Sequence, residues 1–195
     1  MANKEVRQDV KKRVSTFYLV LTATFVALAF AATMVLQVPV GIGYVNFGDA
    51  VVMTSSVVLG PYGAAIVGLL GPALADVATG YAIYAPFTAV IKGLEGLVCG
   101  LIFKHVLKSR SVYLRALIAF AVGAVIVVVG YFFADFLLVL FGAIESEGGL
   151  FTAALLAGVA TLLGSLLQVL VSVAIAMIVA PKLPNIDFFS AGKNR

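Results

Sequence analysis

Long apolar segments are the feature that most constrains the fold of this chain. Six of them divide the sequence, and most reach the length of about 20 residues that a helix needs to cross a bilayer. At that depth, backbone N–H and C=O groups must bond within their own helix. The pattern predicts an all-α integral membrane protein with six transmembrane helices in one bundle and residues 1–195 as a single membrane domain. The predicted helices cover about residues 14–36, 49–59, 62–80, 85–107, 116–141 and 150–180.

Composition supports this class and argues against others. Hydrophobic residues make up 63% of the chain and charged residues 11%, whereas soluble domains carry about 25% charged residues. The single cysteine, Cys99, excludes an intramolecular disulfide and a cysteine-based metal site, so no metal is expected. The net charge of +4 comes from basic clusters beside apolar segments without interleaved aromatic residues, so a nucleic-acid partner is not expected.

The distribution of basic residues predicts the orientation in the membrane. The N-terminal tail carries five Lys or Arg, the connector after the fourth span four, and the C-terminal tail three, whereas the connectors after spans one, three and five carry none. Basic loops stay in the cytoplasm, so both termini are predicted to be cytoplasmic. The tails and connectors that carry this argument include Lys4, Arg7, Lys11, Lys12, Arg13, Lys104, Lys108, Arg110, Arg115, Lys182, Lys193 and Arg195, with Glu145 and Glu147 on the opposite side.

Two charged residues interrupt the fourth apolar segment. Lys92 and Glu95 lie within Ala85–Gly100, where a charge at mid-membrane depth costs roughly 2.5–3.5 kcal/mol. At i,i+3 spacing they can pair with each other on one helix. Alternatively, Lys92 ties helices together through Asp49 or Asp76, or one of the two contacts a ligand.

Several polar residues converge on one depth. At 1.5 Å of rise per residue, Asp49, Asp76, Lys92 and Gln168 lie roughly 16–20 Å above the cytoplasmic boundary. Tyr131 and Asp135 follow at ~24 and ~30 Å. Above this level lie the uncharged, Gly- and Pro-containing loop 37–47 and the connector 81–84. The arrangement predicts a pocket in the outer half of the bundle for a small molecule that arrives from outside.

Each candidate ligand residue also has a structural interpretation. Asn46 or Asp49 could cap a helix, Asp76 could be a counterion to Lys92, and Gln168 could join helices by hydrogen bonds. Asp135 could lie at the outer interface. The candidate substrate-binding residues are Asn46, Asp49, Asp76, Tyr84, Lys92, Glu95, Tyr131, Asp135 and Gln168, and no catalytic residues are predicted.

Small residues recur at helical spacing in two segments. Ala23, Ala27 and Ala31 form an i,i+4 stripe, which suits either packing within the bundle or docking of a partner membrane protein. Gly93, Gly96 and Gly100 form a second stripe, which we assign to internal packing.

Four stretches between residues 37 and 100 form a recognisable pattern. They are Gly43 to Asp49 (GYVNFGD), Leu59-Gly60-Pro61 with Gly63, Ala75-Asp76 followed by Gly80-Tyr81, and Tyr84-Ala85-Pro86 leading to Ile91-Lys92-Gly93. This pattern resembles the substrate-binding S components of energy-coupling factor (ECF) vitamin transporters, in the subgroup for riboflavin, pyridoxine-type and hydroxymethylpyrimidine uptake. The half from Ser111 to Ala180 carries no matching motif.

The resemblance implies a function and partners. An S component binds one vitamin near the outer face under a lid made by the first loop, in a prokaryotic cell membrane. It docks through the alanine stripe, here Ala23, Ala27 and Ala31, onto an energy-coupling membrane subunit with two ABC-type ATPases, and it topples in the membrane during transport. It is not itself an enzyme, and the vitamin or precursor is a transported ligand rather than a cofactor.

The polar residues favour a pyridoxine-type or hydroxymethylpyrimidine ligand over riboflavin. The pocket floor is expected to be charged, and the chain has no Trp to stack a tricyclic ring, although Tyr44, Tyr84 and Tyr131 could do so. Riboflavin is the alternative ligand. A stand-alone proton-coupled carrier that uses Lys92 is the alternative of another class. An intramembrane enzyme is disfavoured because the chain has only one His, His105, and one Cys.

Overall fold

Six α-helices and one short β-hairpin make up the described part of the computed structural model, residues 2–35, 37–40, 43–106, 108–144 and 149–184. The all-helical prediction is confirmed, and the hairpin replaces part of the expected first loop. Leu36, Gly41, Leu107, Glu145, Glu147, Lys193 and Arg195 lie outside the described residues. The elements are α1 (Ala2–Val35), β1 (Val38–Val40), β2 (Gly43–Val45), α2 (Gly48–Val58), α3 (Gly60–Ala78), α4 (Ala85–His105), α5 (Val112–Leu140), α6 (Leu150–Val179) and a 3-10 turn (Ala180–Lys182).

Five of the described helices are long and apolar enough to cross a bilayer. Their apolar segments have mean hydropathies between 1.3 and 2.6. In α1 this segment is Thr16–Val35. The helix itself begins earlier, at Ala2, because the Lys, Arg, Gln and Glu residues that precede Thr16 are good helix formers. Helix α5 begins at Val112, earlier than expected, because the hydroxyl of Ser111 accepts a hydrogen bond from the N–H of Leu114 and caps the helix.

Helix α2 is too short to cross the membrane by itself. Its 11 residues extend about 16 Å, roughly half of the ~30 Å hydrocarbon core. Six membrane-crossing helices therefore remain a prediction. All of α2 except Val51 is buried, and it packs against α1, α3, α4 and α6. The hydroxyls of Thr54, Ser55 and Ser56 donate to carbonyls of their own helix, so these polar residues are satisfied inside the bundle.

Helices α3 and α4 approach closely through glycine residues. A Cβ at Gly68 would overlap the backbone carbonyl of Lys92, and a Cβ at Gly96 would overlap that of Ala64. Gly100 lies equally close to the backbone of Pro61. This part of the glycine stripe packs inside the bundle. The close approach brings α4 against α3, at the point where Lys92 enters the core.

The alanine stripe of α1 faces away from the other helices. Ala23, Ala27 and Ala31 are exposed, whereas Ala29 is fully buried and faces Gly71 of α3. Packing of α1 within the bundle therefore uses Ala29 together with Tyr18, Phe25 and Val26, and not the predicted stripe. The exposed stripe is left available for the lipid or for another protein.

Candidate binding site

A cavity lies at the end of the bundle where the hairpin and the connector 81–84 meet α5 and α6. It contains about 510 Å³ of empty space, part of which is open to the outside. The helices α3, α4 and α5 contribute residues near one of their ends, whereas α6 contributes residues from its middle. The wall consists of Tyr44, Val45, Asn46, Asp76, Tyr81, Tyr84, Thr88, Tyr131, Asp135, Thr161, Gly164, Ser165 and Gln168.

Four tyrosines dominate this wall. The rings of Tyr44 and Tyr81 lie 4.7 Å apart between centroids at an interplanar angle of 56°, and Tyr81 and Tyr84 make an edge contact at 6.5 Å. Tyr131 joins them from α5, where its hydroxyl lies 3.2 Å from that of Thr88. Flat faces with polar edges suit a planar ligand that also carries hydrogen-bonding groups.

Two carboxylates fix the tyrosine hydroxyls in place. Tyr44 donates a hydrogen bond to Asp76, and Tyr84 donates to Asp135 at 2.6 Å. Asp135 also accepts a hydrogen bond from Thr161. The second oxygen of Asp76, Oδ2, has no hydrogen-bond partner among the described residues. This oxygen is buried, so Asp76 keeps an unused acceptor beside the cavity.

Two of the wall tyrosines outside the spanning segments, Tyr44 and Tyr84, are held as neutral phenols. Burial raises the pKa of Tyr44, and its hydrogen bond to Asp76 raises it further. Burial likewise raises the pKa of Tyr84, and its hydrogen bond to Asp135 adds to the effect. Both hydroxyls therefore stay hydrogen-bond donors at neutral pH.

Hydrogen bonds hold the hairpin against the helices at both of its ends. At the first end, Gln37 donates through Nε2 to the hydroxyl of Thr79 at 3.2 Å. At the second end, the N–H of Asn46 donates to Oε1 of Gln168 at 2.9 Å. The side chain of Asn46 accepts the N–H of Gly48 at 2.8 Å, just before α2 begins. The hairpin therefore closes one side of the cavity.

Three charged side chains lie behind the wall rather than in it. Lys92, Asp49 and Glu95 have no solvent exposure. Lys92 forms an ion pair with Asp49, and its Nζ lies 3.9 Å from Glu95 and 5.1 Å from the ring centroid of Tyr131. Asp49 also accepts a hydrogen bond from Nε2 of Gln168 at 2.7 Å. In this structure Lys92 binds Asp49, and Tyr131 of the cavity wall lies beside it.

Of the nine substrate-binding residues predicted from the sequence, the structure places six in the wall. Asp49, Lys92 and Glu95 are the three that it places behind the wall. The predicted set did not include Thr161 and Ser165. These two residues share one face of α6 with Gln168, because the three follow i, i+4 and i+7 spacing. That polar stripe could have identified them from the sequence. The six in the wall are Asn46, Asp76, Tyr84, Tyr131, Asp135 and Gln168, and the unpredicted members are Tyr44, Val45, Tyr81, Thr88, Thr161, Gly164 and Ser165.

The remaining reactive side chains lie away from the cavity. Cys99 is buried, and its thiol donates to the carbonyl of Ala119 at 3.2 Å. His105 is exposed at the end of α4. Within the described ranges, no group of three or more His, Cys, Asp or Glu is placed to hold a metal ion.

Comparison with known proteins identifies the family. A family model described as "ECF-type riboflavin transporter, S component" matches residues 13–184, which is most of the chain. This protein belongs to the ECF-type riboflavin transporter S component family. The resemblance to S components found in the motifs between residues 37 and 100 is thereby confirmed, and so is the multi-pass membrane location of this S component.

One curated relative shares part of the sequence. It comes from Pyrococcus woesei and is described as "Uncharacterized protein in gap 3'region". It is 40% identical over 101 residues, which cover 51% of this S component and 65% of the relative. The match thus spans less than two thirds of the relative's length.

Proposed function

We propose that this S component binds a flat heteroaromatic vitamin from outside the cell and acts as the substrate-binding subunit of an ECF-type importer. The tyrosine-lined cavity beneath the hairpin is the observation that carries this proposal. The orientation is the one that the basic residues predict, with both termini in the cytoplasm and the cavity facing outward. The S component is not an enzyme, and ATP hydrolysis belongs to two partner ABC-type ATPases.

Riboflavin is the ligand that we propose first. The sequence-based preference for a pyridoxine-type or hydroxymethylpyrimidine ligand rested on a charged pocket floor and on the absence of Trp. Lys92 and Glu95 do not contribute to the wall, and the carboxylates that do, Asp76 and Asp135, accept hydrogen bonds from tyrosine hydroxyls. The wall instead presents four tyrosines, which suit the larger face of a tricyclic ring. The description of the family also names riboflavin. A pyridoxine-type vitamin remains the second candidate.

The partner surface that we propose is the exposed face of α1. Ala23, Ala27 and Ala31 give this face a shallow surface on which a helix of the energy-coupling subunit can approach closely. Ala29, on the opposite side of α1, packs against Gly71 of α3. Docking at the stripe would therefore leave the bundle and the cavity undisturbed.

Two measurements test the proposed function. Mass spectrometry of the small molecule that co-purifies identifies the ligand, and titration with riboflavin, pyridoxine and hydroxymethylpyrimidine ranks the three. We expect riboflavin to bind most tightly and to colour the purified protein yellow. Tyr81→Ala should weaken its binding, whereas Tyr113→Ala, at an exposed position outside the wall, should not. Binding of none of the three would contradict the proposal.

A second experiment separates the importer from a stand-alone carrier. Vesicles are prepared with the S component alone and with the energy-coupling and ATPase subunits, each with and without ATP. Uptake of the vitamin should require the partners and ATP. Uptake by the S component alone, driven by a proton gradient, would overturn the importer assignment and favour the carrier.

A further inference from the structure

The buried cluster behind the cavity contains more acidic than basic groups. Asp49, Lys92 and Glu95 come from α2 and α4, and all three are fully buried. If every group were ionised, two carboxylates and one ammonium would leave a net charge of −1 in the bundle. An uncompensated charge in such a place costs several kcal/mol, on the order of a protein's whole stability. One of the carboxyl groups is therefore expected to be neutral.

The contacts distinguish the two carboxyl groups. Asp49 forms the ion pair with Lys92 and accepts a second hydrogen bond from Gln168. Neither oxygen of Glu95 has a hydrogen-bond partner among the described residues. The Nζ of Lys92 lies 3.9 Å from Glu95, beyond hydrogen-bonding distance. The ion pair and the hydrogen bond stabilise the ionised form of Asp49, whereas no hydrogen bond from the described residues stabilises the ionised form of Glu95.

The groups that surround Glu95 do not supply a second cation. Lys92 and Cys99 face it from α4, Asp49 from α2 and Tyr131 from α5. On α3 the nearest titratable group, Asp76, acts on Lys92 and adds further negative charge. Helix α6 contributes the neutral amide of Gln168. Within the described residues, Lys92 is thus the single positive charge of the cluster, and it forms its ion pair with Asp49.

We propose that Glu95 is a protonation site, held as a neutral carboxylic acid in the core of the bundle while Asp49 and Lys92 stay ionised. The side chain is ionised in water at neutral pH, so folding takes one proton from the solvent and places it on a carboxylate oxygen of Glu95. The native state then binds one proton more than the unfolded state. Stability must therefore fall as the pH rises and the proton becomes harder to retain.

Infrared spectroscopy of the purified, full-length protein tests this assignment. At neutral pH we expect a C=O stretching band of a protonated carboxylic acid, which disappears in Glu95→Gln and persists in Asp76→Asn and Asp135→Asn. Labelling with 13C-glutamate must shift the band in the wild-type protein, which has four glutamates. That measurement needs no variant that could fail to fold. Absence of a labelled protonated-carboxyl band at neutral pH would overturn the proposal.

The pH dependence of thermal unfolding gives an independent readout. Between roughly pH 6 and pH 9, above the ordinary range of carboxyl groups, the melting temperature of the wild-type protein should fall more than that of Glu95→Gln, because the amide cannot release a proton. Gln has the shape of the neutral acid, so the variant should fold. Equal slopes in the two proteins, or loss of folding in Glu95→Gln while the wild-type protein lacks the infrared band, would contradict a bound proton.

Discussion

The side chain of Gln168 on α6 accepts a hydrogen bond from the backbone N–H of Asn46, a residue 122 positions earlier in the chain. The other end of the same amide donates to Asp49. One side chain therefore joins the hairpin, the cavity wall and the buried ion pair. Because Gln168 itself lines the cavity, a ligand that displaced or strengthened these bonds would act on the hairpin directly.

Replacement of Gln168 by Leu should weaken ligand binding. The change removes the hydrogen bond that holds the hairpin at Asn46 against α6, so this part of the wall must be ordered when the ligand binds, and riboflavin affinity should fall. Titration of the purified protein with riboflavin measures the effect. Ser172→Ala is the matched control, because Ser172 is buried further along α6, has no hydrogen-bond partner among the described residues and lies outside the wall. Equal affinity in the Leu variant and the control would refute this role.

Replacement of Lys92 by Met should destabilise the protein rather than remove a ligand contact. The change leaves Asp49 as a buried, unpaired carboxylate, which costs about 3–5 kcal/mol. Thermal unfolding in detergent should show a lower melting temperature. Adding Asp49→Asn should restore part of the loss, because the remaining pair is uncharged. A fully stable Lys92→Met protein with strongly reduced vitamin affinity would instead return Lys92 to the ligand site.

Depth along a helix could be predicted from the sequence. Asp49, Lys92 and Gln168 were expected at one level from three different helices, and the structure brings them together in one network. The estimate succeeds because every helical residue adds the same rise, so a count from the basic end of a segment gives a usable height. The same constant rise relates the number of apolar residues in a segment to the length of the helix that crosses the membrane.

The direction in which each polar side chain points could not be predicted. Lys92 and Asp76 lie at similar depths, but only Asp76 lines the cavity, because the rotation of each helix is set by its packing partners. The close approach of α3 and α4 at Gly68 and Gly96 decides this rotation for Lys92. Similarly, Tyr81 lies in the connector that was expected above the pocket, but a connector has no periodicity, so the sequence did not indicate which of its side chains would line the wall.

Replacement of Ala27 by Leu should impair assembly with the energy-coupling subunit while riboflavin binding stays unchanged. The larger side chain would hold a partner helix away from the exposed stripe. Co-purification of the complex measures the effect, with Val125→Leu on the exposed surface of α5 as the control. Ala29→Leu should behave differently and destabilise the fold, because Ala29 is packed against α3. Intact assembly with Ala27→Leu would exclude the stripe as the docking face.

The phenol of Tyr44 should resist ionisation in alkaline solution. Burial and the bond to Asp76 raise its pKa, so it stays protonated above the ordinary tyrosine range near pH 10. The phenolate absorbance of the wild-type protein at about pH 10.5 should therefore match that of Tyr44→Phe. In Asp76→Asn, ionisation should begin at lower pH because the carboxylate no longer opposes it. A wild-type excess of one full phenolate would show that the hairpin does not shield Tyr44.

The orientation predicted from the basic residues can be tested with single cysteines. In a Cys99→Ala background, Ala82→Cys lies in the connector beside the cavity and Ser109→Cys in the basic connector between α4 and α5, and both positions are exposed. A membrane-impermeant thiol reagent added to intact cells should label Ala82→Cys and not Ser109→Cys, since basic loops stay in the cytoplasm.

Permeabilised cells should label both cysteines, which controls for accessibility. The opposite pattern in intact cells would place the cavity on the cytoplasmic side. It would then exclude uptake of the ligand from outside by this face of the protein, because the hairpin and the cavity wall lie at the same end as Ala82.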